Sequence, residues 1–265
     1  DHIYALIRGS AENHGGRANS LTAPNPKAQA ALLEAAYRRA GVDPRTVGYI
    51  EAHGTGTELG DPLEVNALKA AFGAMYEAVG APPPSQPHCG LGTVKSNIGH
   101  LELAAGIAGV IKVLLQLRHA TLVASLNCER LNPYIDLRET PFFVVRATQP
   151  WPRLVAADGS PLPRRAGVSS FGFGGANAHV VIEEYLAPAR PSLPATACAI
   201  VLSARSGERL RAQAERLLGA LPSLSEEDLP HVAYTLQVGR DAMRHRAACV
   251  VRDLDELGRA LRAMA

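Results

Sequence analysis

Residues 49–73 read YIEAHGTGTELGDPLEVNALKAAFG, and this stretch decides the fold class. YIEA is a short β-rich run, while DPLEVNALKAAFG carries the apolar spacing of a helix. Asp61 as cap, Pro62 after it and Glu64 three residues on predict a reciprocal capping box at the helix start. Between strand and helix lies GTGTE, whose glycines and threonines bury too little apolar area to serve as core. A histidine, His53, stands where the strand ends and the small residues begin. Strand-to-helix loops are where ligands meet α/β proteins, so His53 is presented to something.

Outward from this stretch the same alternation continues. YALIRG (4–9) reads as a strand; NPKAQAALLEAAYRRAG (25–41) follows as a helix with Asn25 as cap, Pro26 in the first turn and Gly41 as stop. After the proline-rich APPPSQP (81–87), LGTV (91–94) reads as a buried strand and LELAAGIAGVIKVLLQLRH (101–119) as a long helix. That helix is rich in Ala and Gly and nearly free of charge until its end, which predicts burial between two layers. RRAGVSSFGFGGANAHVVIEE (164–184) reads as strand, glycine turn, strand. Alternation of this kind predicts a layered α/β fold. At APARPSLPATA (187–197) the composition shifts to a proline-rich connector. Beyond it come a strand (198–204), helices (207–221 and 225–237), a strand (245–251) and a helix (253–265). The expected domains are therefore 1–187 and 188–265, the second a small α/β appendage with no cluster of reactive residues.

Composition narrows the function classes. The 265 residues are 47% hydrophobic and 20% charged, ordinary for a globular protein with a sizeable core, and the net charge of +2 is too weak to imply nucleic acid or a membrane surface. No apolar run reaches bilayer length, and DHIYALIRGS lacks signal-peptide anatomy, so a cytoplasmic protein is expected. Cys89, Cys128, Cys198 and Cys249 lie far apart with no CxxC pair; neither a metal site nor a disulfide framework is expected. GTGTELG misses the dinucleotide pattern by one residue, and in GLGTVKS the residue before Lys95 is Val94, not the glycine of a phosphate loop.

Three loops carry the candidate chemistry: His53 to Thr57, KSNIGH (95–100) and FGFGG (171–175). A lone histidine is more often a capped core residue, but His53 and His100 both sit at loops bearing glycine. Together they can offer N–H donors to one developing negative oxygen. Lys95 can hold a carboxylate or tune a histidine through its charge, a solvated lysine being the plainer alternative. The FGFGG turn either leaves backbone N–H groups free for an oxyanion or is a tight bend with its phenylalanines packed inside.

EAHGTGTELGDP, VKSNIGHLELAAGIAGVIK and GVSSFGFGGANAHVVIEE, in this order, resemble the β-ketoacyl synthase domain of modular polyketide synthases, over residues 1–187. Residues 188–265 are similar to the linker subdomain that follows such domains. The resemblance implies a thiolase-like layered αβαβα fold, of which this chain is the C-terminal half. It also implies decarboxylative Claisen condensation between an acyl thioester and a malonyl-type extender on a carrier protein. Under it, His53 and His100 hydrogen-bond the extender's thioester oxygen, Lys95 is a supporting charge and Phe173 lends its backbone N–H to an oxyanion hole. Thr55 and Thr57 contact the phosphopantetheine arm, the substrate's carrier rather than a bound cofactor; Asn97, Gly174 and Gly175 are further substrate-contacting positions. The family's nucleophilic cysteine, in a motif of the TACSSS kind, has no counterpart here, and no GHSxG serine motif appears. The expected partners are an N-terminal half bearing that cysteine, an acyl carrier protein and a second ketosynthase copy. The competing readings are a non-condensing scaffold that only binds carrier protein, and a degradative thiolase.

Overall fold

The computed structural model describes residues 3–16, 24–82, 84, 86–156, 158–188 and 197–265. The chain divides into two compact units, Asp1–Ala187 and Pro188–Ala265. The connector expected at 187–197 lies mostly outside the described residues, as do 83 and 85 of the proline-rich loop.

The first unit is built on one mixed sheet of β1 (Ala5–His14), β2 (Tyr49–Glu51), β3 (Cys89–Gly92), β5 (Phe142–Val144), β7 (Arg165–Phe171) and β8 (Ala176–Glu184), in the order β1-β8-β7-β2-β3-β5. β7, β2, β3 and β5 run parallel, whereas β1, β8 and β7 are joined antiparallel. A small antiparallel pair, β4 (Thr121–Leu122) with β6 (Gln149–Pro150), stands apart. Successive strand residues point to opposite faces. Ile50 and Val181 accordingly join a core with α1 (Pro26–Ala40) and α2 (Gly60–Ala78), around Leu32, Leu33, Tyr37, Leu68 and Phe72. Their neighbours Tyr49 and Ile182 join a second core on the other face, with Val113 and Leu117 of α4 (Ala105–His119).

Local chemistry explains most of these boundaries. Asn25 accepts from the N–H groups of Lys27 and Ala28 at the start of α1, and Gly41 ends the helix in the left-handed region. α2 does not stop at Gly73 but continues to Ala78, because an exposed glycine costs a helix only about 1 kcal/mol and Tyr76 is buried beyond it. The apolar helix expected at 101–119 differs too. A 3-10 turn, Glu102–Ala104, precedes α4, and the sheet covers one face only. Val113 and Leu117 are buried, whereas Leu103, Ile107, Ile111 and Leu115 are exposed. No helix among the described residues is long and apolar enough to cross a membrane.

The second unit pairs β9 (Cys198–Ala204) antiparallel with β10 (His245–Val251). Helices α5 (Gly207–Ala220), α6 (Leu229–Val238) and α7 (Leu254–Met264) close its own core around Ile200, Leu202, Leu229, Leu257 and Leu261.

Candidate functional site

His53 owes its position to the end of β2 and the first turn of α2. The pairing of β2 with β3 continues one residue past the strand, where Ala52 N–H donates to the Gly92 carbonyl. The backbone then turns at Gly54 (φ 46°) and Gly56 (φ 75°). A Cβ at Gly54 would lie 2.8 Å from Thr93, so only glycine lets the two loops touch. The capping box expected from Asp61 and Glu64 does not form. Glu64, fully buried, instead accepts from the N–H groups of His53 (2.8 Å) and Gly54 (2.9 Å), and Asp61 accepts from Gly56 N–H (3.1 Å). These three donors have no strand or helix partner, so the loop's need for acceptors outranks that of the helix end. The helix start is served by Thr57, whose hydroxyl accepts from Gly60 N–H. Burial pushes the Glu64 carboxyl up to about 7.

The second histidine comes from the loop between α3 (Lys95–Ile98) and α4. His100 follows Gly99 (φ 79°), and its Nδ1 accepts from Glu102 N–H at 2.9 Å. Glu102 makes that bond in the left-handed region (φ 48°), a conformation non-glycine residues rarely hold. His53 Nδ1 accepts from Phe171 N–H at 3.3 Å. A ring nitrogen that accepts cannot carry the proton, so in both imidazoles the N–H sits on Nε2. The ring centroids are 5.5 Å apart and nearly perpendicular. Burial first, then the charges of Lys95 and His100, hold His53 down to about 4, so the ring is neutral at neutral pH.

The two histidines line a cleft of about 590 Å³ together with Thr55, Thr57, Phe173, Gly174 and Gly175. The glycine turn joins β7 to β8 and closes on itself: Gly172 N–H donates to the Ala176 carbonyl and Gly175 N–H to that of Gly172. Among the described residues, the N–H groups of Phe173 and Gly174 make no such bond. Phe173 is 83% exposed, so the packed-inside alternative holds for Phe171, which lies against His53, and not for Phe173.

Lys95 and Asn97 are not brought to this cleft. Half-buried Lys95 faces a neighbouring hollow of about 330 Å³ alongside Asp61 and Glu64. Burial lowers its ammonium, and the carboxylates of Glu51, Glu64 and Asp61 work against that lowering. Asn97 donates its Nδ2 to the Ala124 carbonyl, which anchors α3 to the chain after β4. None of the four cysteines lines the cleft, and burial raises the Cys89 thiol well above its ordinary range. The described residues hold no group of three or more His, Cys, Asp or Glu placed to bind a metal.

Sequence reasoning missed a buried ion pair beneath the loops. Glu51, the last residue of β2, accepts from Val94 N–H with one oxygen; the other takes Tyr49 OH (2.7 Å) and the Lys112 ammonium (2.9 Å). Lys112 comes from the middle of α4, and both ends of the pair are buried. The pair ties the strand that delivers His53 to the loop that delivers Lys95.

Comparison with known proteins agrees with this architecture. Residues 4–129 match the β-ketoacyl synthase C-terminal domain, and residues 201–265 match the RhiE-like KS-MAT linker domain. The chain is 57% identical over 267 residues to polyketide synthase PksN of Bacillus subtilis, covering 97% of this chain and 5% of that protein. It is 49% identical to polyketide synthase ThaG of Burkholderia thailandensis, covering 100% of this chain and again 5% of the relative. Among solved structures, the oxazolomycin ketosynthase domain OzmH KS7 of Streptomyces albus superposes with a TM-score of 0.76 at 43% identity, over 99% of this chain and 44% of that one. The ketosynthase from module 6 of the Bacillus subtilis bacillaene synthase gives 0.71 at 42%, over 99% and 43%. The chain thus spans less than half of the solved ketosynthases it matches and a small fraction of the curated synthases. Its sheet with helices on both faces is part of their thiolase-like fold, and the chain belongs to the β-ketoacyl synthases of polyketide synthases, carrying their C-terminal domain followed by a linker domain.

Proposed function

We propose that this chain supplies the hydrogen-bond donors of a decarboxylating, carbon–carbon bond-forming site. The observation that carries the reading is the shared tautomer: His53 and His100 each accept a backbone N–H at Nδ1 and so turn an Nε2 proton to one cleft. A malonyl-type thioester that loses carbon dioxide leaves an electron pair that spreads onto its thioester oxygen. Two fixed N–H donors aimed at that oxygen stabilise the enolate and require no reorganisation as charge develops. Neutral imidazole suits this role, because a protonated His53 would lose the bond from Phe171. The free N–H groups at Phe173 and Gly174 suit a second oxyanion, the one formed when the enolate carbon attacks an acyl thioester.

In this reading the acyl group waits on a cysteine of an N-terminal half, since no cysteine here lines the cleft. An acyl carrier protein delivers the extender on its phosphopantetheine arm, with the Thr55 and Thr57 hydroxyls at the cleft as the arm's contacts. The complete ketosynthase works as a homodimer. Lys95 acts from behind, its charge adding to burial in keeping His53 neutral.

Replacing His53 or His100 by Ala in the complete ketosynthase is expected to lower malonyl decarboxylation by about 10²-fold or more, the usual scale for one such donor. Radiolabelled acyl loading onto the cysteine is expected to fall far less. Equal, small effects on both steps would overturn the donor assignment, and a complete ketosynthase that neither loads nor decarboxylates would instead be a scaffold.

A further inference from the structure

The buried ion pair beneath the loops is arranged in a way that stability alone does not require. Glu51 closes β2 two residues before His53, and its Oε1 accepts from Val94 N–H. Val94 in turn carries the first turn of α3, because its carbonyl accepts from the N–H groups of Asn97 (2.9 Å) and Ile98 (3.1 Å). Gly99 and His100 follow directly. The other carboxylate oxygen, Oε2, takes the Tyr49 hydroxyl and the ammonium of Lys112, which stands in α4, the helix that follows His100. One carboxylate therefore grips the chain before His100 and the helix after it, while its own backbone leads straight to His53.

The packing around this carboxylate leaves little slack. A Cβ at Gly109 of α4 would lie 3.0 Å from Glu51 Cγ, and one at Gly92 of β3 would collide with the Tyr49 hydroxyl. Glycine at both places lets the helix and the strand close on the pair. A second tie between the two loops is weak by comparison: Thr93 Oγ1 reaches the His53 carbonyl only at 3.5 Å, the outer limit of a hydrogen bond. Bonds to a buried carboxylate are the stronger kind, so Glu51 governs the junction.

We propose that Glu51 is a positioning residue for decarboxylation: it sets the separation of His53 and His100, whose ring centroids stand 5.5 Å apart, so that both Nε2 donors meet one oxygen. Glu51 is buried and does not line the cleft, so it acts through the two histidines and not on substrate. Donors whose spacing drifts still admit the extender but stabilise the enolate less, and a displacement of about 1 Å costs on the order of 10²-fold in rate. The inference rests on the reading of the two histidines as enolate donors.

Three variants of the complete ketosynthase test this, each read by malonyl decarboxylation, acyl loading and urea unfolding. Val94→Pro removes the N–H and leaves the ion pair whole; the φ of −66° at Val94 already suits a proline ring. It is expected to lower kcat for decarboxylation by about tenfold or more, with KM for the malonyl carrier protein and acyl loading unchanged. Glu51→Met with Lys112→Met removes both the pair and the acceptor, an apolar exchange that buried pairs tolerate, and is expected to lose kcat in the same way at a urea midpoint near that of the wild type. Glu51→Gln with Lys112→Met keeps an amide oxygen for Val94 N–H and is expected to recover most of kcat. Wild-type kcat in the proline variant or in the double methionine variant overturns the proposal, as do two doubles impaired alike. A loss of kcat that merely follows the urea midpoint across the three variants overturns it too. If His53→Ala and His100→Ala impair decarboxylation while these variants do not, only the positioning role fails; a complete ketosynthase in which neither alanine variant impairs it contradicts the donor reading and takes the positioning role with it.

Discussion

His53 shows how one residue's chemistry is set by its surroundings. Burial and the Lys95 charge both disfavour the imidazolium, and the Phe171 N–H holds the neutral tautomer. Lys95→Met removes one of those forces, so the His53 pKa is expected to rise from about 4 toward its ordinary 6.5, read from imidazole ¹⁵N shifts across a pH titration. A folded-state pKa below the unfolded value gives stability that is present above 6.5 and lost as pH falls to about 4. Relieving the depression narrows that acid-labile window. Glu64 has the opposite sign: the fold holds its proton up to about 7 while the unfolded chain releases it near 4.5, so its contribution falls as pH rises between them. The histidines were legible in the sequence because His53 opens and His100 ends a glycine-bearing loop, where a core residue has no use. The job of Asn97 was not, since one asparagine serves a substrate or a backbone carbonyl equally well and only the fold places Ala124 beside it.

At the scale of elements, the loops are held by carboxylates that the linear pattern assigned elsewhere. Asp61 and Glu64 look like a helix cap, because spacing shows which N–H groups a helix leaves free but not those a loop folds back beside them. Glu51 and Lys112 carried a readable signal, a charge inside a buried strand and a charge inside an apolar helix, and such charges must find partners. Lys112→Met leaves the Glu51 carboxylate buried and uncompensated. It is expected to destabilise the complete ketosynthase by about 3–5 kcal/mol in urea unfolding, and pairing it with Glu51→Gln is expected to restore part of that loss. A measured cost below about 1 kcal/mol would mean that water reaches the pair. The strand FFV (142–144) went unread because three residues between turns show no period to detect, and its register with β3 exists only in the assembled sheet.

At the scale of the molecule, the first unit has one covered and one bare side to α4. Ile107, Ile111 and Leu115 stand on successive turns, with Leu103 before them, and form an apolar strip of a kind soluble monomers rarely leave open. This polypeptide alone is expected to self-associate in sedimentation velocity, and Ile107→Gln, Ile111→Gln and Leu115→Gln together are expected to shift it toward monomer without changing its circular dichroism. A wild-type chain that stays monomeric at tens of micromolar would show that the strip is covered from within. The long reach of the fold also sets what mutagenesis can see. The amide that orients His53 belongs to Phe171, 118 positions away in the chain, and the one that orients His100 belongs to Glu102. Neither bond uses the donor's side chain, so an alanine scan leaves both in place, and only proline, which has no N–H to give, can silence them. The bonds that decide where a proton rests are in this sense invisible to any survey that reads side chains alone.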